Sequence, residues 1–564
     1  MFLTAILKGI PRRILPLFVF LLIAPFFAGL YFDFFACLAS IFLFIYFIYL
    51  TAKQKQTVFL LGLSAVGAVV PLCYLVCSLW AIDSGMTVLG FLKFLPLLPF
   101  TLIMMQLEEN ERQKLLLSVP IGGIIMTLTS LLLGLFPKLE PFFYIDTRLA
   151  GFFQYSNTFA LYLLLGFIVV CTSKKIGAYH WVSIVVFFYA ILQSGSRMVF
   201  LLLFVSIVAL FFLRKEWYFR LFIGLILFVF SAVSFYDIGF KGNISPFGRF
   251  WTLIFDSHAR YVRLLYYKDA LMQIVRHPFG LGFMGYHYTL REFQSGVYSL
   301  LFVHNDFLQL MLDIGWVPSI SLLCAALASI FKSKNARKSL LLCMMVLHCM
   351  LDFDLQYVFI FLLLICLLDY GSGRRFEFKP DKAILHASVL GLCILSMYFG
   401  IARFAGYVGK YSVSLAMFAN QTDVKTEILT LSDDIEYCVG IADSIIAANE
   451  HVPLAYSVKA LEAYSKGDFA QVIACKEKVL SLSPYDGEEY ESYCQMLIAA
   501  IMLYEQNGDT YSAQYCREVL LSVEERAQAL SEKENELAKR AGLEASVTLS
   551  DEVLNYIQSI QQPI

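Results

Sequence analysis

Charged side chains are scarce in this sequence. Asp, Glu, Lys and Arg make up 15% of its 564 residues, whereas a soluble domain usually has about 25%. Hydrophobic residues reach 59% and aromatic residues 16%, and the mean hydropathy is +0.70. This balance excludes a single water-soluble domain and indicates a chain that crosses a membrane many times.

Several motifs that carry chemistry are also missing. The sequence has no HExxH, no GxxxxGK[ST] and no GxSxG motif. Its 13 cysteines are scattered without CxxC spacing, so they predict neither a zinc site nor a disulfide framework. Asp352 and Asp354 have the spacing of a metal-binding pair, but they stand beside His348 in an apolar context. We therefore expect no metal site and no cofactor.

Apolar runs of nearly the length that a membrane span needs recur along the first 404 residues. We predict an all-α bundle of 12 to 13 spans, because some of the runs are short. The spans are predicted at about 14–30, 34–50, 58–80, 86–105, 115–136, 156–172, 179–193, 197–213, 218–236, 306–331, 338–350, 355–370 and 383–403.

Positive charges alternate along these spans. With the N-terminus in the cytoplasm, the cytoplasmic segments carry 20 Lys and Arg residues, whereas the short outer loops carry 3, namely Lys138, Arg148 and Arg197. The positive-inside rule favours this orientation. It places two larger segments on the outer face: a loop at 237–303, between the ninth and tenth spans, and a tail at 405–564.

The tail differs from the rest of the chain in charge. It has 25 Asp and Glu against 11 Lys and Arg, a net charge of −14, which leaves +13 for the remainder. A segment around Gly467 recurs around Gly508, 41 residues later. The pattern predicts helical hairpins similar to tetratricopeptide repeats, although the spacing is longer than usual. A plain acidic helical bundle is the alternative.

Polar clusters gather at the predicted outer ends of the spans. They are Arg148 to Asn157, Ser194 to Arg197, a loop segment with Arg260, Arg263 and Gly280 to Gly285, and His304-Asn305-Asp306 followed by Gly315. Arginine suits phosphate, because its guanidinium is always charged and forks to two oxygens. Histidine suits removal of a proton from a hydroxyl near neutral pH.

The order of these clusters resembles the O-antigen ligase and polysaccharide polymerase superfamily of bacterial inner-membrane glycosyltransferases, over about residues 70–370. The ligases of this superfamily have His-Asn, nine residues, Gly, and then Gly, Thr or Tyr three positions later. Here His304-Asn305 is followed by Gly315 as expected, but Pro318 stands at the last position. That departure puts the ligase subtype in question.

The resemblance implies a metal-independent, inverting transfer of glycan from an undecaprenyl diphosphate carrier. Arg197 and Arg263 would hold the diphosphate, and His304 would activate the acceptor hydroxyl. Arg148, Asn305 and Asp352 would support substrate binding, and Arg260 is the rival of Arg263. The implied partners are a polyprenyl-diphosphate-linked glycan, a glycan, lipid or protein acceptor, membrane lipid and a protein that binds the tail, but no nucleic acid.

Three hypotheses follow for the function. The first is a polymerase of lipid-linked repeat units or a ligase that moves a finished glycan to a cell-surface acceptor. The second is a protein O-oligosaccharyltransferase with the same donor. The third is a transporter or membrane scaffold, for which Lys93 and the prolines at 71, 96 and 99 are the indications.

Overall fold

The computed structural model describes residues 9–53, 58–61, 65–173, 176–221, 224–225, 257–370, 375–532, 535–545 and 547–561. These residues are predominantly helical, and the strands among them form two short antiparallel pairs. The all-α fold that the sequence predicts is confirmed. Most of the predicted ninth span and the loop residues before Ser257 lie outside the described residues.

The helices of the apolar part vary widely in length. They are α1 (Leu15–Ile23), α2 (Asp33–Lys53), α3 (Val66–Cys77), α4 (Ser84–Phe94), α5 (Leu97–Gln106), α6 (Glu109–Leu115), α7 (Ser118–Leu133), α8 (Glu140–Phe143), α9 (Ser156–Cys171), α10 (Ala178–Ser194), α11 (Arg197–Leu213), α12 (Ser257–Arg276), α13 (Gly285–Phe293), α14 (Asp306–Ile314), α15 (Trp316–Lys332), α16 (Ala336–Cys349), α17 (Val358–Leu367) and α18 (Lys382–Tyr407). Short 3₁₀ turns span Ala24–Phe26, Ala28–Leu30, Gly151–Phe153 and Asp354–Gln356.

Four helical stretches are long and apolar enough to cross a membrane by length and composition, namely Asp33–Lys53, Ser84–Gln106, Glu109–Leu133 and Lys382–Tyr407. Shorter apolar helices accompany them at Leu15–Phe26, Val66–Cys77, Ser156–Cys171, Ala178–Ser194, Arg197–Leu213, Trp316–Lys332 and Val358–Leu367. Each of these helices overlaps a predicted span, and α16 overlaps the predicted span at 338–350. The chain is therefore an integral membrane protein.

The predicted third span begins too early. Residues Val58–Leu61 form strand β1, which pairs antiparallel with β4 (Arg375–Phe378), and the helix begins only at Val66. The β-branched and aromatic residues of both segments suit a strand. The pair joins two connections that the charge pattern places on the same face of the bundle.

The predicted tenth span is not one helix. It breaks at Gly315, where φ is +88°, into α14 and α15. A Cβ at this glycine would lie 2.8 Å from the Pro278 carbonyl oxygen, so only glycine fits the turn. Pro318 falls in the first turn of α15, where a missing N–H costs no helical hydrogen bond.

The loop that precedes α13 packs tightly against the end of α14. The Leu281 and Gly282 N–H groups donate to the carbonyls of Leu312 and Asp313, at 2.6 and 3.0 Å. Gly280 and Gly282 both have φ of +88°, a region that L side chains rarely adopt. These glycines therefore fix the close approach of the loop to α14, the helix that follows His304.

Two helices lie at the centre of the bundle. Every residue of α17 is buried, as is every residue of α9 except Asn157. Helices that are apolar on all sides belong inside a bundle. The polar residues at their N-terminal ends, Asn157 on α9 and Asp352 and Asp354 before α17, are therefore held by helices that are buried on all sides.

The tail is a succession of helices connected by short turns. They are α19 (Tyr411–Met417), α20 (Thr422–Leu431), α21 (Ile435–Ala448), α22 (Pro453–Ser465), α23 (Phe469–Leu482), α24 (Gly487–Gln506), α25 (Thr510–Glu532), α26 (Glu536–Arg540) and α27 (Asp551–Gln561). The last apolar helix, α18, ends at Tyr407, three residues beyond the predicted domain boundary at 404.

The predicted repeat corresponds to two similar helical hairpins. Gly467 joins α22 to α23 and Gly508 joins α24 to α25, with φ of +71° and +73°. In each turn the next residue, Asp468 or Asp509, accepts a hydrogen bond at 3.1 or 3.0 Å from a backbone N–H of the following helix. The Gly-Asp pair thus ends one helix and caps the next. Kinship with tetratricopeptide repeats stays a prediction.

The tail packs onto the face of the bundle that carries the loop after Ser257. Thr422 and Asn449 donate to Asp83 Oδ2, at 2.5 and 3.3 Å. Further along, the Val297 N–H donates to the Leu543 carbonyl at 2.8 Å. The tail and the loop therefore share one face, as the odd number of predicted spans implies. That this face is the outer one stays a prediction.

Candidate active site

Four arginines line one cavity of about 550 Å³ at this face of the bundle. Arg148 comes from strand β3 (Arg148–Leu149), Arg197 from the start of α11, and Arg260 and Arg263 from α12. We call this space the arginine cavity. Asn157, Tyr267 and Asp352 also line it. The structure therefore brings together residues that lie more than a hundred positions apart in the sequence.

Arg197 is positioned by a very short link between two helices. Gly195, with φ of +60°, ends α10 and Ser196 precedes Arg197, the first residue of α11. The left-handed conformation suits glycine at the end of a helix. The tight link between two spans that the sequence predicts is confirmed, and it directs Arg197 to the arginine cavity.

Arg260 and Arg263 lie three residues apart on α12, so they share one face of the helix. Both line the arginine cavity. Neither forms a hydrogen bond or an ion pair with the part of the chain that the structure describes. The sequence treats them as rivals for one role, but the structure places both guanidinium groups at the same site.

Arg148 is anchored by the protein. It follows a hairpin turn in which Asp146 and Thr147 both have positive φ, 50° and 63°, as in a type I′ turn. Its Nε donates to the Ser194 carbonyl at 2.8 Å and its Nη2 to Asn157 Oδ1 at 2.6 Å. Arg148 thus ties the hairpin to the link that positions Arg197.

Asp352 is a buried acceptor at the wall of the arginine cavity. Its Oδ1 accepts hydrogen bonds from Tyr155 Oη at 2.8 Å and from its neighbour Phe353 N at 3.0 Å, and its Oδ2 accepts one from Asn157 Nδ2 at 2.7 Å. His304 Nδ1 lies 3.1 Å from Oδ1. Burial alone would raise the pKa of Asp352, but its hydrogen bonds with His304 and Tyr155 and the nearby His348 lower the pKa to about 2. The surrounding donors therefore favour the anionic form of Asp352.

His304 is held in place from several sides. Its backbone carbonyl accepts a hydrogen bond from Tyr267 Oη at 2.6 Å. Its ring lies 5.2 Å from the Phe353 ring, edge to face, and 6.3 Å from the nearly parallel Tyr266 ring. With Nδ1 directed at Asp352, the tautomer that carries its proton on Nδ1 is favoured, and Nε2 can then accept a proton.

Asn305 caps the N-terminus of α14. Its Oδ1 accepts hydrogen bonds from the backbone N–H groups of Phe307 and Leu308, at 3.0 and 3.1 Å, and so caps α14. It does not appear among the residues that line the arginine cavity. The predicted role of Asn305 in substrate binding therefore has no geometric support, whereas its role as a helix cap does.

A second polar layer lies beneath Asp352. Asp354 accepts a hydrogen bond from Thr158 at 2.7 Å, and its other oxygen lies 2.5 Å from His348 Nδ1. Asp352 and Asp354 therefore face different histidines and do not form the chelating pair that their spacing indicates. Within the described residues, Asp306, Cys349 and Asp354 are the group whose potential ligand atoms all lie within 4.8 Å of one another.

Three residues of the site have no role assigned by the sequence. Asn157 and Tyr155 bind Asp352, and Tyr267 binds the His304 backbone. Asn157 and Tyr155 belong to the polar cluster that begins at Arg148, which marks the segment but not the individual side chains. Tyr267 lies four residues after Arg263, one helical turn away, and that spacing is the available signal.

The fold and site define a helical integral membrane protein with a cationic cavity and a histidine at the ends of its spans. Residues 182–323 match a family model described as O-antigen ligase. This segment contains Arg197, Arg260, Arg263 and His304, and it supports the predicted O-antigen ligase and polysaccharide polymerase superfamily. Glycan transfer of this general type is the activity that the match supports. Neither a curated protein nor a solved structure matches the chain.

Proposed function

We propose that the protein transfers or polymerises oligosaccharide from undecaprenyl diphosphate onto a glycan or another cell-surface acceptor, at the outer face of the bacterial cytoplasmic membrane. The observation that carries this proposal is the arrangement of four arginines around one cavity, with Asp352 at its wall and His304 Nδ1 3.1 Å from Asp352 Oδ1. The alternation of positive charges along the spans favours the outer face.

The arginine cavity suits a diphosphate. Guanidinium groups stay charged and bind two phosphate oxygens at once. The carboxylate at the wall, Asp352, already accepts hydrogen bonds from its neighbours, so the charge left for a ligand is positive. Arg197, Arg260 and Arg263 would bind the diphosphate, and Arg148 would hold the cavity wall. These cations would stabilise the charge that develops on the leaving group, so the proposed reaction needs no metal ion.

His304 would act as the general base. Asp352 holds Nδ1, so Nε2 can take the proton of an acceptor hydroxyl. The hydroxyl oxygen then bonds to the anomeric carbon of the donor sugar while the bond from that carbon to the diphosphate breaks. The electron pair leaves with undecaprenyl diphosphate and the proton remains on His304. A single displacement of this kind inverts the anomeric configuration.

The products of a reconstituted reaction test this function. Purified protein would be supplied with a lipid-linked oligosaccharide and three acceptors: a second lipid-linked unit, a cell-surface glycolipid and a peptide that contains Ser and Thr. We expect an inverted linkage to one of the two glycan acceptors, with chelator present. A ladder of lengths indicates a polymerase, and a single product indicates a ligase. Transfer to the peptide alone would replace the proposal with protein O-glycosylation, and recovery of intact donor after every incubation would refute it.

A further inference from the structure

A second large cavity lies between the loop and the tail. It measures about 890 Å³ and is lined by the end of α13 and the residues after it, by the start of α24 and by the segment before α27. We call it the loop–tail cleft. Its size is at the upper end of the range of ligand pockets, about 300–1,000 Å³. It is therefore large enough for an extended ligand.

The charge of the loop–tail cleft is opposite to that of the arginine cavity. Its walls carry Asp486, Glu488 and Glu491, whereas the basic residue among its lining is Arg291, whose Nη1 lies 3.8 Å from Asp486 Oδ2. A diphosphate would be repelled from such a site. The two cavities therefore suit ligands of different charge.

The remaining lining residues suit a polyhydroxylated ligand. Tyr298 and Tyr485 offer aromatic rings, and Gln294, Ser483 and Gln495 offer amide and hydroxyl groups. A sugar hydroxyl both donates and accepts, so it can pair with carboxylates, amides and hydroxyls alike. Aromatic rings combine apolar faces with polar edges, which matches the C–H and O–H surfaces of a sugar ring.

Two of these groups are buried without a partner. Gln294 is 7% exposed and Ser483 is 2% exposed. Gln294 Oε1 and Ser483 Oγ form no hydrogen bond with any described residue. Buried polar atoms have partners in roughly 90% of cases or more, and leaving one unpaired is costly. Both residues line the cleft, and each of these atoms exposes less than 1 Å², so a ligand there can pair with them once the side chains rotate.

An aromatic path connects the cleft to His304. The Tyr298 ring lies 4.5 Å from the Tyr266 ring, and the Tyr266 ring lies 6.3 Å from His304. Tyr298 is fixed by a 2.7 Å hydrogen bond to Asp269. The next residue of α12, Tyr267, lines the arginine cavity. Tyr266 thus contacts a residue of the cleft, its neighbour Tyr267 lines the arginine cavity, and both tyrosines contact His304.

We propose that the loop–tail cleft binds the acceptor glycan and guides it to His304, while the donor diphosphate occupies the arginine cavity. This inference rests on the proposed function. It also assigns a role to the tail, which contributes one wall of the cleft, and it favours a glycan over a peptide as the acceptor.

Equilibrium binding tests the cleft without any transfer reaction. The full chain would be titrated in detergent with two labelled, lipid-free probes: the oligosaccharide released from the host's lipid-linked pool and the core oligosaccharide of a surface glycolipid. Gln495→Ala and Tyr485→Ala should weaken binding of one probe by about 3- to 10-fold, the effect of one lost hydrogen bond or aromatic contact. Neither residue belongs to the arginine cavity.

Matched controls lie elsewhere on the tail. Gln495 and Gln528 each donate to a glutamate four residues earlier, at 2.8 and 3.0 Å, but Gln528 is not among the residues that line the cleft. Tyr511 is 85% exposed and also lies outside that lining. Gln528→Ala and Tyr511→Ala should bind the probe within about 2-fold of the unaltered protein, since no ligand contact is removed.

Each outcome decides the inference. The inference is supported if the cleft variants, but not the control variants, bind the probe more weakly and show a raised KM for acceptor with an unchanged KM for donor. Equal binding by all variants, no binding of either glycan, or binding of a peptide in their place would overturn it. A change in the KM for donor alone would overturn the acceptor assignment. Because the titration contains no donor lipid, its failure is distinct from failure of the glycan-transfer proposal, which requires loss of product formation.

Discussion

His304 Nδ1 and Asp352 Oδ1 lie 3.1 Å apart, although 48 positions separate the two residues in the sequence. The Asp352 side chain is 3% exposed, whereas that of His304 is 26% exposed. The pair thus has a buried, fixed carboxylate and an imidazole that solvent or substrate can reach. This is the arrangement of a base held in one orientation by a neighbouring anion.

Asp352→Asn should lower kcat by about 100-fold or more, because the anion that fixes the His304 tautomer is lost. The KM for donor should change much less. Initial rates with the lipid-linked donor check this. Asp381→Asn is the control, since Asp381 caps α18 by hydrogen bonds to Ala383 N and Ile384 N at 2.9 and 3.0 Å and the amide can still accept both. An Asp352→Asn enzyme as fast as the control would exclude the proposed pair.

Arg197→Ala and Arg263→Ala should each reduce transfer by about 100-fold or more, because each removes a cation that stabilises the leaving diphosphate. The Lys variants should recover part of the rate, since Lys keeps the charge but not the two-pronged geometry. Rates in proteoliposomes measure both effects. Arg12→Ala, at an exposed residue of the opposite face, should leave the rate unchanged. Equal losses in all three Ala variants would point to general destabilisation instead.

Two substitutions of Asn305 distinguish a role in capping α14 from a role in substrate binding. Asn305→Ala should destabilise the protein by about 1 kcal/mol through loss of the α14 cap. Asn305→Asp should restore both stability and activity, because a carboxylate also accepts from the N–H groups of Phe307 and Leu308. Thermal unfolding and transfer rates of the two variants provide the comparison. A stable Asn305→Asp protein without activity would show that capping is not the sole role of Asn305 and would favour the predicted contact with substrate.

Gly315→Ala should destabilise the protein by about 2 kcal/mol or more, because its φ of +88° is costly for an L residue and its Cβ would meet backbone atoms of the loop. Activity should fall as well, since the turn fixes α14 behind His304. The control is Gly440→Ala, in α21, where a Cβ meets nothing within 4 Å. That change should stabilise the helix by about 0.5–1 kcal/mol. Unfolding curves of both variants give the two free energies of unfolding. A Gly315→Ala protein as stable as the unaltered protein would refute the proposed strain at this position.

The stability of the contact between tail and loop should depend on pH, because His451 in the tail is hydrogen-bonded to Glu292 in the loop. That hydrogen bond raises the pKa of His451, and Glu450 adds to the increase while burial and Lys478 oppose it. A raised pKa means that the contact contributes fully below the unfolded pKa of about 6.5 and is lost as the pH rises through the folded pKa. After correction for the intrinsic, base-catalysed increase of amide exchange with pH, the protection of 285–293 should therefore fall at the higher pH. His451→Gln should abolish the dependence, and an unchanged profile in that variant would refute it.

Much of the fold could be predicted because the physics that determines it is local. Apolar runs and alternating charges gave the spans that α2, α9 and α18 confirm. The candidate site can be predicted for the same reason, since Arg148 and Arg197 mark span ends on the face that also carries the loop with Arg263. The hydrogen bonds that hold distant segments together cannot be predicted in this way. The bond from Asn157 to Asp352 and that from Thr422 to Asp83 join distant segments, and no periodicity encodes such contacts.

The errors of prediction also have local causes. Hydropathy continues through Gly315 and so predicts one span across it, although its φ of +88° requires a break. Hydropathy likewise places Val58–Leu61 in a span, but this segment pairs with a strand at Arg375–Phe378, more than 300 positions away. Hydropathy reports the environment of a segment, not its backbone conformation.

The most direct test of the central claim is the rate of glycan transfer by His304→Ala and by unaltered protein, each in proteoliposomes with a defined lipid-linked oligosaccharide, a saturating acceptor and a chelator of divalent metals. The proposed mechanism predicts robust transfer by the unaltered protein and a rate reduced by about 100-fold or more in the variant, the usual contribution of a general base. Equal rates for the two proteins, or transfer that stops when the chelator is added, would contradict it.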